Sequence, residues 1–128
     1  MYKVECLSET QFKPNRCLYR GDIVLIDFGK QEGSVQGGLR PAIVLQNDTG
    51  NFFSTTTIVA LLTSQNKKSL PTHVKINAGE GGLSKNSIIL MEQVHTVSKS
   101  KIIKLIGHVT NHAIYEQMKK ALLISFSI

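Results

Sequence analysis

Short apolar runs rich in valine, isoleucine and threonine recur along the chain, and turn-forming residues separate them. The runs occupy residues 22–27, 41–46, 55–62, 73–76, 87–91 and 102–109. Runs of this length and composition are typical of β-strands, because branched side chains pack well on a pleated surface. The middle of the chain is therefore predicted to contain five or six short strands.

A helical pattern follows the last of these runs. Asn111 is a favourable N-cap residue, and Ile114, Met118, Ala121 and Leu122 then recur at helical spacing. We assign this apolar stripe to the core, with a subunit contact as the alternative. Strands followed by one terminal helix predict a mainly β fold with a C-terminal α-helix, arranged as a small twisted barrel.

The first residues of the chain lack such a pattern. Residues 1–18 mix charged and single apolar side chains, so we predict a flexible tail followed by one domain at 19–128. Cys6 and Cys17 lie in this tail, and the spacings typical of metal sites or redox pairs are absent. Both thiols are expected to be reduced and to have no catalytic role.

Composition narrows the cellular setting and the partners. No stretch approaches the roughly 20 apolar residues of a membrane-spanning helix. The N-terminus also lacks the long apolar segment of a secretory signal, which favours a cytoplasmic protein. The net charge of +6 favours polyanionic partners, although it does not distinguish a nucleic acid from an acidic protein.

The segment Gln36–Pro41 carries the clearest candidate binding residue. Two glycines permit unusual backbone conformations, and Pro41 favours an extended conformation at the preceding Arg40. An arginine is thus expected at the start of a buried strand, beside a loop that a ligand can approach. Because a guanidinium matches phosphate oxygens in a bidentate manner, Arg40 is a candidate phosphate clamp.

Several other short motifs occur in a fixed order around this segment. They are Arg20-Gly21-Asp22, Gly33-Ser34, Gln46-Asn47-Asp48, Ile58-Val59-Ala60, Thr63, Leu70-Pro71-Thr72-His73-Val74 and Glu92-Gln93-Val94. With Gln36–Pro41 they make the chain resemble the MazF/PemK toxin endoribonucleases over roughly residues 19–126.

The resemblance implies an SH3-like barrel of the CcdB/MazF type and usually a homodimer. It also implies the toxin of a type II toxin–antitoxin system, inhibited by a cognate antitoxin protein. The implied activity is sequence-specific cleavage of single-stranded mRNA without a metal or cofactor. The products would carry 2′,3′-cyclic phosphate and 5′-hydroxyl ends, and cleavage would inhibit translation and growth.

The family's functional positions correspond to particular residues of this chain. The resemblance assigns catalysis to Arg40 and Thr63. It assigns contacts with RNA to the loop before the arginine, that is, to Gly33, Ser34, Gln36 and Gly37. Independently of the resemblance, Lys67 and Lys68 are expected on a solvated loop that can also touch RNA phosphates.

Two positions depart from the family pattern. Val35 stands where close members have glutamate, and His95 where they often have arginine, so both bear on base preference. Because an imidazole titrates near neutrality, His95 is also a candidate auxiliary acid or base.

The chemistry of RNA cleavage agrees with this assignment. RNA carries its own nucleophile, the 2′-hydroxyl, so a protein has to align it and stabilise the added negative charge. Arg40 would neutralise that charge, with proton donation to the leaving oxygen as its alternative role, and Thr63 would donate a hydroxyl to the same phosphate. The histidines are dispersed, and no carboxylate is suitably placed beside His108 and His112, so no metal site is expected.

Two other functions remain open from the sequence. One is a CcdB-like toxin on the same barrel that poisons DNA gyrase. The other is a nucleic-acid-binding module without activity.

Overall fold

A computed structural model describes residues 18–29, 38–65 and 68–127. The predicted N-terminal tail with its two cysteines lies almost entirely outside the described residues. So do Val35 and five of the predicted RNA-contacting residues, namely Gly33, Ser34, Gln36, Gly37 and Lys67. For these residues the predictions stay predictions.

The described residues form one antiparallel sheet and two α-helices. The strands are β1 (Asp22–Asp27), β2 (Leu39–Val44), β3 (Thr56–Thr63), β4 (His73–Ile76), β5 (Ser87–Ser98) and β6 (Ile102–His108). The helices are α1 (Asp48–Phe53) and α2 (His112–Phe126), and short 3₁₀ turns occupy Glu80–Gly82 and Lys99–Lys101.

The strand order across the sheet is β4-β5-β3-β2-β1-β6. The prediction of a mainly β chain with a C-terminal helix is confirmed. Across the part of the chain that the structure describes, the sheet is not closed, since β4 and β6 are its edge strands.

Alternate residues of the strands build two separate cores, one on each face of the sheet. On one face Ile23, Ile43 and Leu62 pack with Ile114, Met118 and Ala121 of α2. This arrangement confirms the assignment of the helical stripe to the core. On the opposite face a second cluster contains Val24, Ala42, Val44, Leu61, Leu90 and Ile102. Burial of both faces explains why the strands are almost continuously apolar.

Two local predictions need correction. The turn-forming residues Asn47–Asn51, between the second and third apolar runs, instead begin α1, because the Asn47 side chain accepts a hydrogen bond from Gly50 N at 2.8 Å and caps a helix. The strand expected at residues 87–91 continues to Ser98. Its first part pairs with Leu61–Thr63 and its second part with Thr56–Ala60, across a bulge between Ala60 and Leu61.

The start of α2 is tied to the turn Glu80–Gly82. The Asn111 side chain accepts a hydrogen bond from Ala113 N at 3.0 Å, and a Glu80 carboxylate oxygen accepts one from Thr110 N at 2.9 Å. The Tyr115 hydroxyl donates to Val109 O at 2.6 Å, and burial raises the pKa of that phenol. These bonds hold the 80–82 turn close to the end of β6.

Contact between this turn and β6 depends on glycine. A Cβ atom at Gly107 would collide with the Gly81 carbonyl, and one at Gly82 would collide with Ile106 O. Because both approaches involve backbone atoms, a side chain there cannot simply rotate away.

We therefore expect Gly107→Ala to lower the free energy of unfolding by about 1–3 kcal/mol, as overpacking of a tight contact does. Urea denaturation measures this change. Thr96→Ala, at an exposed position of β5, is the control and should shift stability by less than about 0.5 kcal/mol. Equal stability of Gly107→Ala and the wild type would contradict the close approach.

Candidate active site

A groove of about 510 Å³ lies at the ends of several strands. It is bounded by the start of β2, the end of β3, the start of β5, part of β6 and the segment that follows the Glu80–Gly82 turn. The polar residues that line it are Arg40, Thr63, Ser64, Gln65, Ser84, Lys85, Ser87 and Lys104. The groove thus contains both residues predicted to be catalytic.

The register of β2 and β3 explains why Arg40 and Thr63 meet. The two strands pair from Val44–Val59 to Ala42–Leu61. Continued by two residues, the same register sets Arg40 opposite Thr63. Pro41 has no N–H to donate, and it lies where the pairing with β3 stops, so it leaves no ladder hydrogen bond unmade. The groove opens at this point.

Arg40 is half-buried and only lightly bonded. One terminal nitrogen, Nη2, donates to Leu62 O at 3.4 Å. Its Nε is buried and has no hydrogen-bond partner among the residues that the structure describes. Such a buried donor is unfavourable unless something else accepts its hydrogen bond. Arg40 therefore keeps N–H donors that the described residues do not use.

Thr63 is buried, and its hydroxyl has one defined contact. Its Oγ1 accepts a hydrogen bond from Gln65 N at 3.1 Å. A hydroxyl can accept one bond and still donate its own hydrogen. The Thr63 hydroxyl is therefore oriented by the backbone and retains a donor for a ligand.

The groove is positively charged. Arg40, Lys85 and Lys104 line it, and no aspartate or glutamate is among its described lining residues. Lys85 and Lys104 are far apart in the sequence. Their convergence was not visible there, because they lie on different elements. Lys99, five residues before Lys104, is buried, and its ammonium bonds to Asn51 O. Burial lowers the pKa of that ammonium.

Other sequence-predicted residues lie elsewhere. Lys68 is exposed and does not line the groove. The His95 ring packs edge-on against Phe28, with 5.5 Å between centroids, and His95 is not a lining residue either. The structure therefore does not place His95 beside Arg40 and Thr63.

Two other histidines, His73 and His108, join elements of the fold. His73 Nε2 lies 3.2 Å from a Glu92 carboxylate oxygen, and His108 Nδ1 lies 2.8 Å from an Asp22 carboxylate oxygen. In residues 18–29, 38–65 and 68–127, no group of three histidine, cysteine, aspartate or glutamate residues is arranged to hold a metal. No helix in these ranges is long and apolar enough to cross a bilayer.

Together, the fold and the groove define a small sheet protein with a terminal helix and a cationic site built around an arginine and a threonine. Its sequence matches the model of the PemK-like, MazF-like toxins of type II toxin–antitoxin systems over residues 19–126. The chain belongs to this toxin family.

Two curated relatives are similar in sequence. Endoribonuclease EndoA of Bacillus subtilis is 43% identical over 110 residues, which covers 85% of this chain and 94% of that protein. Endoribonuclease MazF of Staphylococcus saprophyticus is 42% identical over 98 residues, which covers 76% and 82% of the two chains.

Solved structures agree on the fold. MazF from Deinococcus radiodurans superposes with a TM-score of 0.74 at 21% identity, over 88% of this chain and 98% of that one. A mycobacterial endoribonuclease in complex with its cognate antitoxin gives 0.73 at 20% identity, over 87% and 96%.

Proposed function

We propose that this toxin-family chain is a sequence-specific, metal-independent endoribonuclease that cleaves single-stranded mRNA in the cytoplasm and so inhibits translation and growth. Two observations support this proposed activity. The similar relatives are named endoribonucleases. The groove independently presents an arginine and a threonine side by side, with no carboxylate among its described lining residues.

The reaction uses a nucleophile that the substrate supplies. The ribose 2′-hydroxyl oxygen bonds to the adjacent phosphorus, and its proton passes to water. The bond from phosphorus to the 5′ oxygen then breaks, and that oxygen takes up a proton. The products carry a 2′,3′-cyclic phosphate and a 5′-hydroxyl. Because no external nucleophile has to be generated, the step needs positioning and charge stabilisation rather than a metal.

Arg40 and Thr63 supply these two needs. The guanidinium binds the scissile phosphate and neutralises the second negative charge that forms in the transition state. The Thr63 hydroxyl donates to the same phosphate while its oxygen accepts from Gln65 N. The observation that carries this proposal is that both residues line one groove although they come from different strands.

The direct test is incubation of the purified protein with a long unstructured RNA in EDTA, with the new 5′ ends mapped. We expect cuts at one short sequence, with 5′-hydroxyl and cyclic phosphate termini. A matched oligonucleotide with a single 2′-deoxyribose before the scissile phosphate should remain intact. Uncut RNA would contradict the proposal. Trapped gyrase–DNA complexes without RNA cleavage would favour the CcdB-like alternative.

The partners follow from the same surface. We propose that the chain forms a homodimer and that its antitoxin covers the groove with an acidic segment. The three cations in the groove support the proposed antitoxin contact, because an acidic segment would neutralise them in place of RNA phosphates. A synthetic acidic antitoxin segment should therefore compete with RNA.

A further inference from the structure

We infer that Lys85 and Lys104 bind phosphates of the substrate that flank the scissile linkage. This inference rests on the proposed ribonuclease function. It assigns the two lysines to substrate positioning rather than to the bond-breaking step.

The position of Lys104 follows from strand register. Lys104 of β6 pairs with Leu25 of β1, and Leu25 pairs with Pro41 of β2, the neighbour of Arg40. Lys104 is thus two strand spacings from the Arg40 region, about 10 Å at the usual interstrand distance. The backbones of Lys104 and Arg40 therefore lie at different points along the groove that both residues line. This distribution fits a chain with repeated negative charges.

Lys85 approaches the groove from the segment after the Glu80–Gly82 turn. The glycine contacts with β6 hold this segment in place. Two further hydrogen bonds anchor its end, from Ala78 N to Asn86 Oδ1 at 2.8 Å and from the Ser87 hydroxyl to Lys85 O at 3.0 Å. The backbone at Lys85 is thus fixed, while its side chain is exposed along the groove.

Among the residues that the structure describes, neither ammonium group has a carboxylate partner. In the described ranges, no carboxylate lies within ion-pair distance of Lys85 or Lys104. The nearby Glu80 carboxylate already accepts hydrogen bonds from Thr110 N and Asn111 N. Two cations without a described ion-pair partner, on the wall of a groove with no carboxylate among its described lining residues, are available to bind substrate phosphates.

The first test compares Lys85→Gln, Lys104→Gln and the double variant with Lys120→Gln, a control on an exposed position of α2. Binding of an RNA with 2′-deoxyribose at the cleavage site is measured by fluorescence anisotropy at several salt concentrations. Each groove variant should weaken binding about three- to tenfold, as loss of a charge contact does. Each should also reduce the salt slope by about 0.7.

In cleavage assays, the two substitutions should raise KM more than they lower kcat, because the lysines do not touch the reacting phosphate. A fall in kcat at unchanged KM would overturn the assignment to positioning. So would unchanged binding affinity and salt slope in both groove variants.

A linkage scan pairs each lysine with one phosphate. Single flanking phosphates of the uncleavable RNA are replaced by uncharged methylphosphonates. One replacement should weaken binding to the wild type but have no further effect on Lys104→Gln, and a different one should behave this way with Lys85→Gln. Additive losses at every linkage would overturn the inference. Because this assay requires no cleavage, its failure is distinguishable from failure of the proposed ribonuclease activity.

Discussion

Replacement of Arg40 with alanine is expected to lower kcat/KM for RNA cleavage by roughly 100- to 1000-fold, the usual effect of removing a donor that stabilises transition-state charge. Arg40 lines the groove beside Thr63, and its bond to Leu62 O leaves most of its N–H donors available. Single-turnover cleavage of a labelled, unstructured RNA in EDTA measures the change. Cleavage at the wild-type rate would remove Arg40 from the mechanism.

Two variants serve as controls for this result. Arg40→Lys retains the charge but lacks the planar fork, so its activity should lie between that of the alanine variant and the wild type. Arg20→Ala removes another arginine, whose guanidinium lies 4.8 Å from the Tyr115 ring centroid and outside the groove. The Arg20 variant should cleave RNA normally.

Substitution of Arg40 is expected to lower activity without lowering the stability of the protein. Its buried Nε lacks an acceptor among the described residues, so the free protein gains little from this donor. We therefore expect Arg40→Met to melt at the wild-type temperature or above it, as measured by circular dichroism. A large fall in melting temperature would show that Arg40 is structural, and loss of cleavage would then have another explanation.

Replacement of Thr63 with valine is expected to reduce cleavage about 100-fold. Valine has nearly the same shape and a high strand propensity, so β3 should form as before. The substitution removes the hydroxyl donor and also the acceptor for Gln65 N, and the exposed Gln65 N–H can bond to water instead. The measurement is kcat under saturating RNA, with urea denaturation of the same sample.

Thr57→Val, on the same strand, is expected to lower stability while leaving cleavage intact. The buried Thr57 hydroxyl donates to Asn51 Oδ1 at 2.6 Å, inside the network that holds α1. Its loss should lower the free energy of unfolding by about 1–3 kcal/mol while cleavage by the folded protein continues. If Thr57→Val abolished cleavage and Thr63→Val did not, the assignment of the catalytic hydroxyl would be wrong.

Individual strands and the terminal helix show which parts of the fold local sequence patterns could predict. The predicted bounds of β1 and β4 agree with the structure, and Asn111 caps α2 as expected. The second half of β5 was not predicted, because Glu92 and Gln93 interrupt the apolar run. That half exists because β3 offers it a partner beyond the bulge at Ala60–Leu61. Such pairing depends on residues that are distant in sequence.

The candidate active site was likewise only partly predictable from the sequence. Motif order was sufficient to select Arg40 and Thr63, and the structure then brings both into one groove, while their catalytic roles remain to be tested. His95, a candidate auxiliary acid or base from the sequence, packs against Phe28 and does not line the groove, so its role stays a prediction. The position of a histidine in the sequence does not show which side chain it will contact in the folded protein.

The amino-acid sequence alone determined the strand-rich architecture, the capped terminal helix and the family, because these depend on short patterns and their order. The tertiary structure alone decided that Lys85 and Lys104 share a groove with Arg40, and that Lys99 does not. Strand register, a bulge and backbone contacts at three glycines bring residues from β2, β6 and the segment before β5 together. Such convergence arises only when the whole sheet is assembled.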